Sequence, residues 1–293
     1  MKIYECSPYF NEKLVANLKI SESQNWIDEL HIVESNSTFK GENKNYTFSS
    51  NVSNVKYHKI DKNHFKGKII WKFRRKFPFF GKASAAWKNE EIQRNFACSY
   101  ISPLSNDIVI LNDIDEIIDS RHADKIVYLV KKHKIITIKL HFTMYYLNLF
   151  SLNWHELWPN SPIDYSYRVF IMNGDKFNTL KMTSNKLRRN AESGKFINSI
   201  YCDNFFYGFH HSWLGGYKAI KAKLQSYAHQ LEDHSDKIYD KTSKRIVEAS
   251  FHNLISANKS LFDGHKLVRR NLNEYSPLRS VLKNIKLYSE HII

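Results

Sequence analysis

The sequence predicts an α/β fold: one domain with a mostly parallel central sheet, followed by a helical C-terminal extension. Short apolar runs of strand type alternate with helical patterns through the first two thirds of the chain, which is typical of parallel α/β sheets. The last sixty or so residues are mostly helical in pattern, and no linker or internal repeat interrupts the 293 residues. We therefore predict an α/β domain over residues 1–232 and a helical extension over residues 233–293.

Each predicted element follows from its local pattern. Strands are predicted where short apolar or aromatic runs end in polar turns, at 2–9, 29–34, 107–111, 135–150, 168–172 and 205–213. Helices are predicted where apolar residues recur at helical spacing, at 11–20, 83–100 and 123–134. Residues 41–64 are rich in Asn, Lys and Ser, which predicts an irregular surface loop.

Charge is the unusual feature of the composition. The chain has 44 Lys and Arg against 29 Asp and Glu, which gives a formal net charge of +15. Such an excess suits a polyanionic partner: nucleic acid, anionic lipid headgroups or a diphosphate-bearing substrate. In addition, the segment Phe65–Lys82 interleaves basic and aromatic residues, a pattern that tracks phosphates and stacks bases in single-strand-binding proteins.

The cysteines and the apolar segments indicate the compartment. Cys6, Cys98 and Cys202 are far apart and show neither metal-ligand spacing nor a disulfide framework, which favours a reducing environment. The N-terminus has no apolar signal-peptide core, and the most apolar long stretch, 135–154, contains Lys139. We therefore expect a cytoplasmic protein without a signal peptide or a transmembrane segment.

The most informative segment is the acidic cluster after the strand at 107–111. Four apolar residues deliver Asp113, Asp115 and Glu116 to the carboxyl end of this strand, where ligands gather in parallel α/β sheets. Three carboxylates within four residues repel one another unless solvent or a cation offsets their charge. Hard oxygen ligands of this kind suit Mg²⁺ or Mn²⁺ bridging a diphosphate. The alternative is a solvated acidic turn before the next helix.

Two further segments carry residues of the same chemistry. On the helix at 83–100, Glu90 and Arg94 are four residues apart and pair on one face, and Arg94 or Asn95 is a candidate for contact with a nucleotide. Near residue 210, strand alternation sends His210 and His211 to opposite faces, so that one could complete a metal site while the other packs. Two structural histidines are the alternative interpretation.

These residues, taken in order, match a known pattern. The matching positions are Phe10–Glu12, Ile32–Asn36, Thr38, Phe39, Gly41, Trp87, Glu90, Gln93–Asn95, Ile110–Asp113, Asp115–Ile117, Gly208, His210, Ser212, Trp213, Gly215, Gly216, Lys223, Leu224, Ser226 and His229. In this ordered set the chain resembles family 17 glycosyltransferases, the β-1,4-mannosyl-glycoprotein β-1,4-N-acetylglucosaminyltransferase family. It departs from the family pattern at Asn17, Lys19, Asn89 and Ile118, so its donor and acceptor could differ.

The resemblance implies a GT-A type, Rossmann-like fold and inverting transfer of a sugar from a UDP-sugar to a glycan acceptor with Mn²⁺ or Mg²⁺; GlcNAc or a related hexose is the expected sugar. It assigns the metal to Asp113 and Asp115, with His210 as a third ligand. The nucleotide-sugar pocket would be lined by Glu34, Ser35, Trp87, Arg94, Asn95, Asn112 and Glu116. An inverting transfer also needs a general base. Asp203 and Asp164 are the candidates, and Asp203 is preferred.

Two other classes of function stay open from the sequence. A nucleic-acid-binding protein would explain the net charge and Phe65–Lys82, although no known binding motif is present and nucleic acid is the less favoured partner. A phosphatase with an Asp-x-Asp nucleophile would explain the acidic cluster, but Ile117 stands where such enzymes usually carry Thr or Val. The basic, apolar stripe of Leu278–Lys286 predicts either a face that covers the core or a peripheral contact with anionic membrane.

Overall fold

A computed structural model describes residues 1–39, 43–64, 84–153, 167–180, 184–192, 200–217, 219–221, 239–240, 245–246, 248–261 and 265–293. The strands are β1 Ile3–Tyr9, β2 Glu29–Ser35, β3 Val55–Ile60, β4 Ile108–Leu111, β5 Glu116–Ile118, β6 Ile135–Met144, β7 Leu149–Ser151, β8 Tyr167–Asn173, β9 Tyr201–Ser212, β10 Tyr239–Asp240, β11 Arg245–Ile246 and β12 Leu267–Arg269. The helices are α1 Lys13–Ser23, α2 Ser84–Ser99, α3 Ala123–His133, α4 Gly174–Leu180, α5 Ser184–Glu192, α6 Glu248–Ser256, α7 Arg279–Lys283 and α8 Ile285–Tyr288.

The central sheet is mixed, with a parallel half and an antiparallel half. Its order is β12-β7-β6-β8-β4-β1-β2-β3, and β9 joins it by pairing with both β5 and β6. Strands β4, β1, β2 and β3 are parallel neighbours. Beyond them, β8, β6, β7 and β12 pair antiparallel, while β9 runs parallel to β6. The predicted α/β fold is confirmed, and its parallel strands are those that lead to the acidic cluster.

Helices cover both faces of this sheet. Ile108 and Ile110 of β4 pack in one apolar cluster with residues of α1 and α3, whereas Val109 and Leu111 pack in a second with residues of α2 and α5. Strand β4 is therefore buried on both sides, which explains why its sequence is a continuous apolar run rather than an alternating one. Because β4 is packed on both faces, the position of the chain that follows Leu111 is fixed at the end of this strand.

A glycine allows β5 to lie close against β9. A Cβ atom added to Gly208 would be only 2.1 Å from the carbonyl oxygen of Ile117. Because any side chain at this position would push the strands apart, Gly208 is required for the antiparallel pairing that sets Glu116 opposite His210. The late histidine segment and the acidic cluster are thus joined by backbone pairing.

The C-terminal part of the chain is integrated with the core. Leu278, Val281 and Tyr288 pack in one buried cluster with Val15 and Leu18 of α1. The part beyond residue 233 is not wholly helical, because β12 adds a strand to the edge of the central sheet through β7. The domain boundary near residue 232 lies outside the described residues and stays a prediction.

One prediction, on residues 41–64, differs from the structure, and another cannot be compared with it. Residues 55–60, expected to be part of an irregular loop, form β3, a parallel edge strand beside β2. It carries Lys56, His58 and Lys59, of which the two lysines are exposed and His58 is half-buried, so no apolar alternation indicates a strand. The aromatic and basic segment Phe65–Lys82 lies outside the described residues. In the part of the chain that the structure does describe, no helix is long and apolar enough to cross a membrane.

Candidate active site

The acidic loop, residues 112–116, connects β4 to β5 at the carboxyl edge of the parallel strands. A turn closed by the Glu116 amide donating to the Asp113 carbonyl, at 3.1 Å, brings its carboxylates together. Beneath it, the Asn112 side chain donates to Glu5 Oε1 at 2.7 Å and to the Glu116 carbonyl at 3.0 Å. Ser7 donates to the same amide group at 2.7 Å. Asn112, predicted to line the nucleotide pocket, is therefore a buried residue that shapes the loop.

A fully buried lysine supports the acidic loop from below. Lys19 Nζ donates to the carbonyls of Asp113 and Glu116 at 3.0 and 2.9 Å, and it pairs with Glu5 at 2.9 Å. The side chains of Lys19 and Glu5 are 0% and 2% exposed, so this ion pair is screened little by solvent. The loop is thus held at both ends by one cation on α1.

Asp113 is bound by two arginines. Arg94 of α2 donates from Nε to Oδ1 at 2.8 Å and from Nη2 to Oδ2 at 2.7 Å, and Arg188 of α5 donates to Oδ2 at 2.9 Å. Burial raises the pKa of Asp113, but the charges of Arg188 and Arg94 outweigh that effect and hold the pKa well below its usual range. Both oxygens of Asp113 bind arginines, so this carboxylate anchors the loop to α2 and α5. The assignment of Asp113 as a metal ligand stays a prediction.

Asp115 and His210 form a separate pair beside this anchor. His210 Nε2 lies 3.5 Å from Asp115 Oδ1, and their side chains are 16% and 12% exposed. The pairing of β5 with β9 positions them, since the His211 amide donates to the Asp115 carbonyl at 2.8 Å. The ring of His210 lies edge-on to Phe142, with centroids 4.8 Å apart. Asp113 lies close enough for the charge of His210 to act on its carboxylate, so the structure brings the three predicted metal ligands near one another.

His211 faces the opposite side of β9 and belongs to the core. Its Nδ1 atom lies 2.7 Å from the Thr143 hydroxyl, and its ring stacks on Phe209. Burial, with a smaller contribution from the charge of His210, lowers the pKa of His211 to about 3. A neutral, packed imidazole is the structural member of the pair, as strand alternation predicts.

Glu116 and Arg94 lie in one network at the site. Arg188 Nη2 donates to Glu116 Oε2, and Arg94 also binds Glu90 at 2.9 Å and Asn185 at 2.6 Å. Glu116 Oε2 further accepts from the Asp113 amide at 2.7 Å, and its Oε1 atom is buried without a hydrogen-bond partner in the described part of the chain. The structure thus brings the predicted pocket residues Arg94 and Glu116 into one network, in which they contact other protein side chains.

The other predicted pocket residues lie elsewhere or have local partners. The carboxylate of Glu34 accepts from the Thr47 and Phe48 amides and the Tyr57 hydroxyl and binds Lys44, so it organises that loop. Ser35 accepts from the Ser37 amide at 3.0 Å. Asn95 is half-buried on α2, and the side chain of Trp87 lies outside the described part of the chain.

Asp203 is not at this site. It lies seven residues before His210 on β9, roughly 20 Å away at the usual rise of a strand. Its carboxylate accepts from the Tyr207 hydroxyl and the Phe205 amide, both at 2.9 Å. The extended strand thus places Asp203 far from the Asp115–His210 pair, and its assignment as general base stays a prediction. The other candidate, Asp164, lies outside the described residues.

Three contributors were missed by the sequence. Arg188 binds two carboxylates of the acidic loop, and Lys19 holds its backbone. Gln93 of α2 donates to the carbonyls of Tyr9 and Val33 at 2.6 and 2.7 Å, and so ties the carboxyl ends of β1 and β2 together. Only Gln93 carried a signal, as part of the family resemblance.

A divalent cation fits the donor set only in part. In the described residues, no group of three or more His, Cys, Asp or Glu side chains is arranged to hold a metal ion. Mg²⁺ in nucleotide sites is commonly held by one or two carboxylates together with substrate phosphates, without a complete protein cage. Asp115 and His210 match such a half-site, which the oxygens of a bound diphosphate would complete.

Together, the α/β sheet and the acidic loop at its carboxyl edge form the arrangement in which ligands bind at the ends of parallel strands. The chain belongs to glycosyltransferase family 17, whose family model matches residues 1–263. Membership of this family favours neither the nucleic-acid-binding protein nor the phosphatase. No curated protein matches the sequence significantly.

Several solved glycosyltransferases are similar at a distance. TarS of S. aureus (residues 1–349) in complex with UDP-GlcNAc has a TM-score of 0.41 and 12% identity, covering 75% of this chain and 61% of that one. A second structure of TarS 1–349 has a TM-score of 0.38 and 13% identity, covering 73% of this chain and 60% of that one. The galactosyltransferase LgtC, in complex with donor and acceptor sugar analogues, has a TM-score of 0.35 and 12% identity, covering 70% and 73%. The chain spans about three fifths of the TarS chains. The family match, and not these low scores, carries the assignment.

Proposed function

We propose that this glycosyltransferase transfers GlcNAc or a related hexose from a UDP-sugar to a glycan acceptor, with inversion and with Mn²⁺ or Mg²⁺. The observation that carries the proposal is the Asp115–His210 pair, 3.5 Å apart beside the anchored Asp113 at the carboxyl edge of the sheet. Asp115 and His210 would hold the cation, and the arginines would keep the acidic loop in place.

The chemistry of the acidic loop supports a role for a cation. Asp113, Asp115 and Glu116 lie within one short loop beside His210, and hard oxygen ligands of this kind suit Mg²⁺ or Mn²⁺. A bound divalent cation would also stabilise the negative charge on the departing nucleotide.

The chain's own residues supply positioning. Arg94 and Lys19 hold the acidic loop from two sides, so that the Asp115 carboxylate does not need to reorganise when a donor binds. Gln93 fixes the ends of β1 and β2 beside the loop, where a nucleotide lies in sheets of this kind. Such fixed geometry is what a site with few metal ligands requires.

The proposal is tested by a donor screen. The purified protein is incubated with UDP-, GDP- and CMP-sugars, with Mn²⁺, Mg²⁺ or a chelator, and release of the free nucleotide is measured. Release from UDP-sugars only, dependent on the metal, is expected. Asp115→Asn should abolish it, whereas Asp124→Asn, an exposed residue at the start of α3, should leave it unchanged. Equal release from GDP-sugars, or full release with chelator present, would refute the proposal.

A further inference from the structure

The C-terminal segment exposes apolar and basic side chains side by side. Leu282, Ile285 and Leu287 are 48%, 37% and 65% exposed. From Ser276 to Ser289 the sequence contains no acidic residue. The C-terminal basic surface consists of these three apolar residues and of the exposed cations Arg279, Lys283 and Lys286.

The residues on both sides of this surface are buried against α1. Leu278 and Val281 before it and Tyr288 after it are each no more than 2% exposed and pack in the cluster formed with α1. The Ser280 amide donates to the buried carboxylate of Glu22 at 2.9 Å. The apolar stripe therefore consists of two sets of residues. Leu278 and Val281 cover the core, whereas Leu282, Ile285 and Leu287 are exposed.

We propose that the C-terminal basic surface binds the surface of anionic membranes. Apolar side chains that protrude among cations, on a segment lying along the protein, are the pattern of an interfacial anchor. Phosphate and carboxylate headgroups complement Arg279, Lys283 and Lys286, and the acyl boundary accepts Leu282 and Leu287. A membrane-held transferase would meet acceptors displayed on that membrane, but the binding itself does not depend on the proposed donor chemistry.

A second copy of the chain is a poor occupant of this surface. Two such surfaces placed face to face would bring six cations together, in a protein that already carries a net charge of +15. Like charges held in contact oppose association unless acidic groups are interleaved with them. None occurs in the segment between Ser276 and Ser289, so charge complementarity selects an anionic partner over self-association.

Vesicle co-sedimentation of the full chain tests the proposal. Vesicles containing phosphatidylserine are compared with pure phosphatidylcholine vesicles, at low and at high salt. We expect binding to the anionic vesicles at low salt only. Removing three cations with Arg279→Gln, Lys283→Gln and Lys286→Gln should weaken it by roughly a hundredfold. Leu282→Ser with Leu287→Ser should weaken it while leaving the charge unchanged.

A matched variant separates the surface from overall charge. Lys131→Gln, Lys132→Gln and Lys134→Gln remove the same charge from exposed positions at the end of α3 and should bind vesicles as the unmodified chain does. Circular dichroism and thermal unfolding establish that each variant is folded. The proposal is overturned if the intact chain ignores anionic vesicles at low salt. It is equally overturned if both charge variants lose binding alike, or if the leucine variants alter the oligomeric state and not vesicle binding.

Discussion

Arg94 binds both carboxylate oxygens of Asp113: Nε donates to Oδ1 at 2.8 Å, and Nη2 donates to Oδ2 at 2.7 Å. This two-pronged geometry is specific to arginine, because only a planar guanidinium offers two parallel donors. It joins α2 to the acidic loop and, together with Arg188, engages both oxygens of Asp113. The two aspartates of the Asp-x-Asp sequence therefore have different partners: Asp113 binds two arginines, whereas Asp115 lies beside His210.

The Arg94–Asp113 pair should contribute strongly to stability. Arg94→Ala leaves a buried carboxylate with one cation fewer, and we expect the free energy of unfolding to fall by about 3 kcal/mol in urea titrations. Arg121→Ala is the control, since Arg121 pairs with Asp119 but is 35% exposed, and it should cost no more than about 1 kcal/mol. Equal losses of unfolding free energy in the two variants would contradict the larger contribution expected of the buried pair.

Lys19 should position the loop for catalysis as well as stabilise it. Lys19→Met leaves Glu5 charged and unpaired in the core, so we expect a loss of about 3 kcal/mol in stability and a fall in kcat. Adding Glu5→Gln should restore most of the stability, because the unpaired charge is then gone, but not kcat, because the two loop carbonyls still lack their donor. If the double variant recovered both, Lys19 would have only a structural role.

Stability should fall on mild acidification through His58. Burial, and to a lesser extent the charge of His31, lower the pKa of His58 to about 4, and its Nε2 atom lies 3.0 Å from Nδ1 of His31. The unfolded chain, with an ordinary histidine pKa of about 6.5, therefore takes up a proton first. As the pH falls from about 6.5 to 4, stability is lost, by less than about 1.4 kcal/mol per pH unit because solvent screens a half-buried ring.

The measurement is urea unfolding between neutral pH and pH 5, compared between the unmodified chain and His58→Gln. The variant should show a shallower decline. His252→Gln, which removes a histidine that is 54% exposed, should leave the slope as it is. Identical slopes in all three proteins would contradict the assignment of the pH dependence to His58.

The sequence predicts the position of the site where the apolar pattern of an element shows that the element is buried. Strand β4 is a continuous apolar run, so the position of Asp113 and Asp115 at the carboxyl edge followed from sequence alone. Strand β3 was not predicted because it carries Lys56, His58 and Lys59 in place of an apolar alternation, and β12 was not predicted because three residues show no readable period. The two strands lie at opposite edges of the sheet.

The partners of the acidic loop could not be predicted in the same way. Arg188 lies on a polar helix, and nothing in its neighbourhood in sequence distinguishes it from a surface arginine. Lys19 is buried only because α1 packs against the acidic loop, a contact between residues that are distant in sequence. Conversely, Asp203 looked suitable because it precedes His210 in sequence, but an extended strand separates residues that are close in the chain.

The central claim, that Asp115 and His210 hold a cation jointly with a donor diphosphate, is tested most directly by titrating Mn²⁺ calorimetrically with and without UDP. With only two protein ligands, Mn²⁺ should bind at least about tenfold more tightly when UDP is present, and UDP should bind little in chelator. Asp115→Asn and His210→Gln should each abolish this mutual enhancement, and Asp124→Asn should preserve it. UDP binding that is equally tight in chelator and unaffected by Asp115→Asn would contradict the claim.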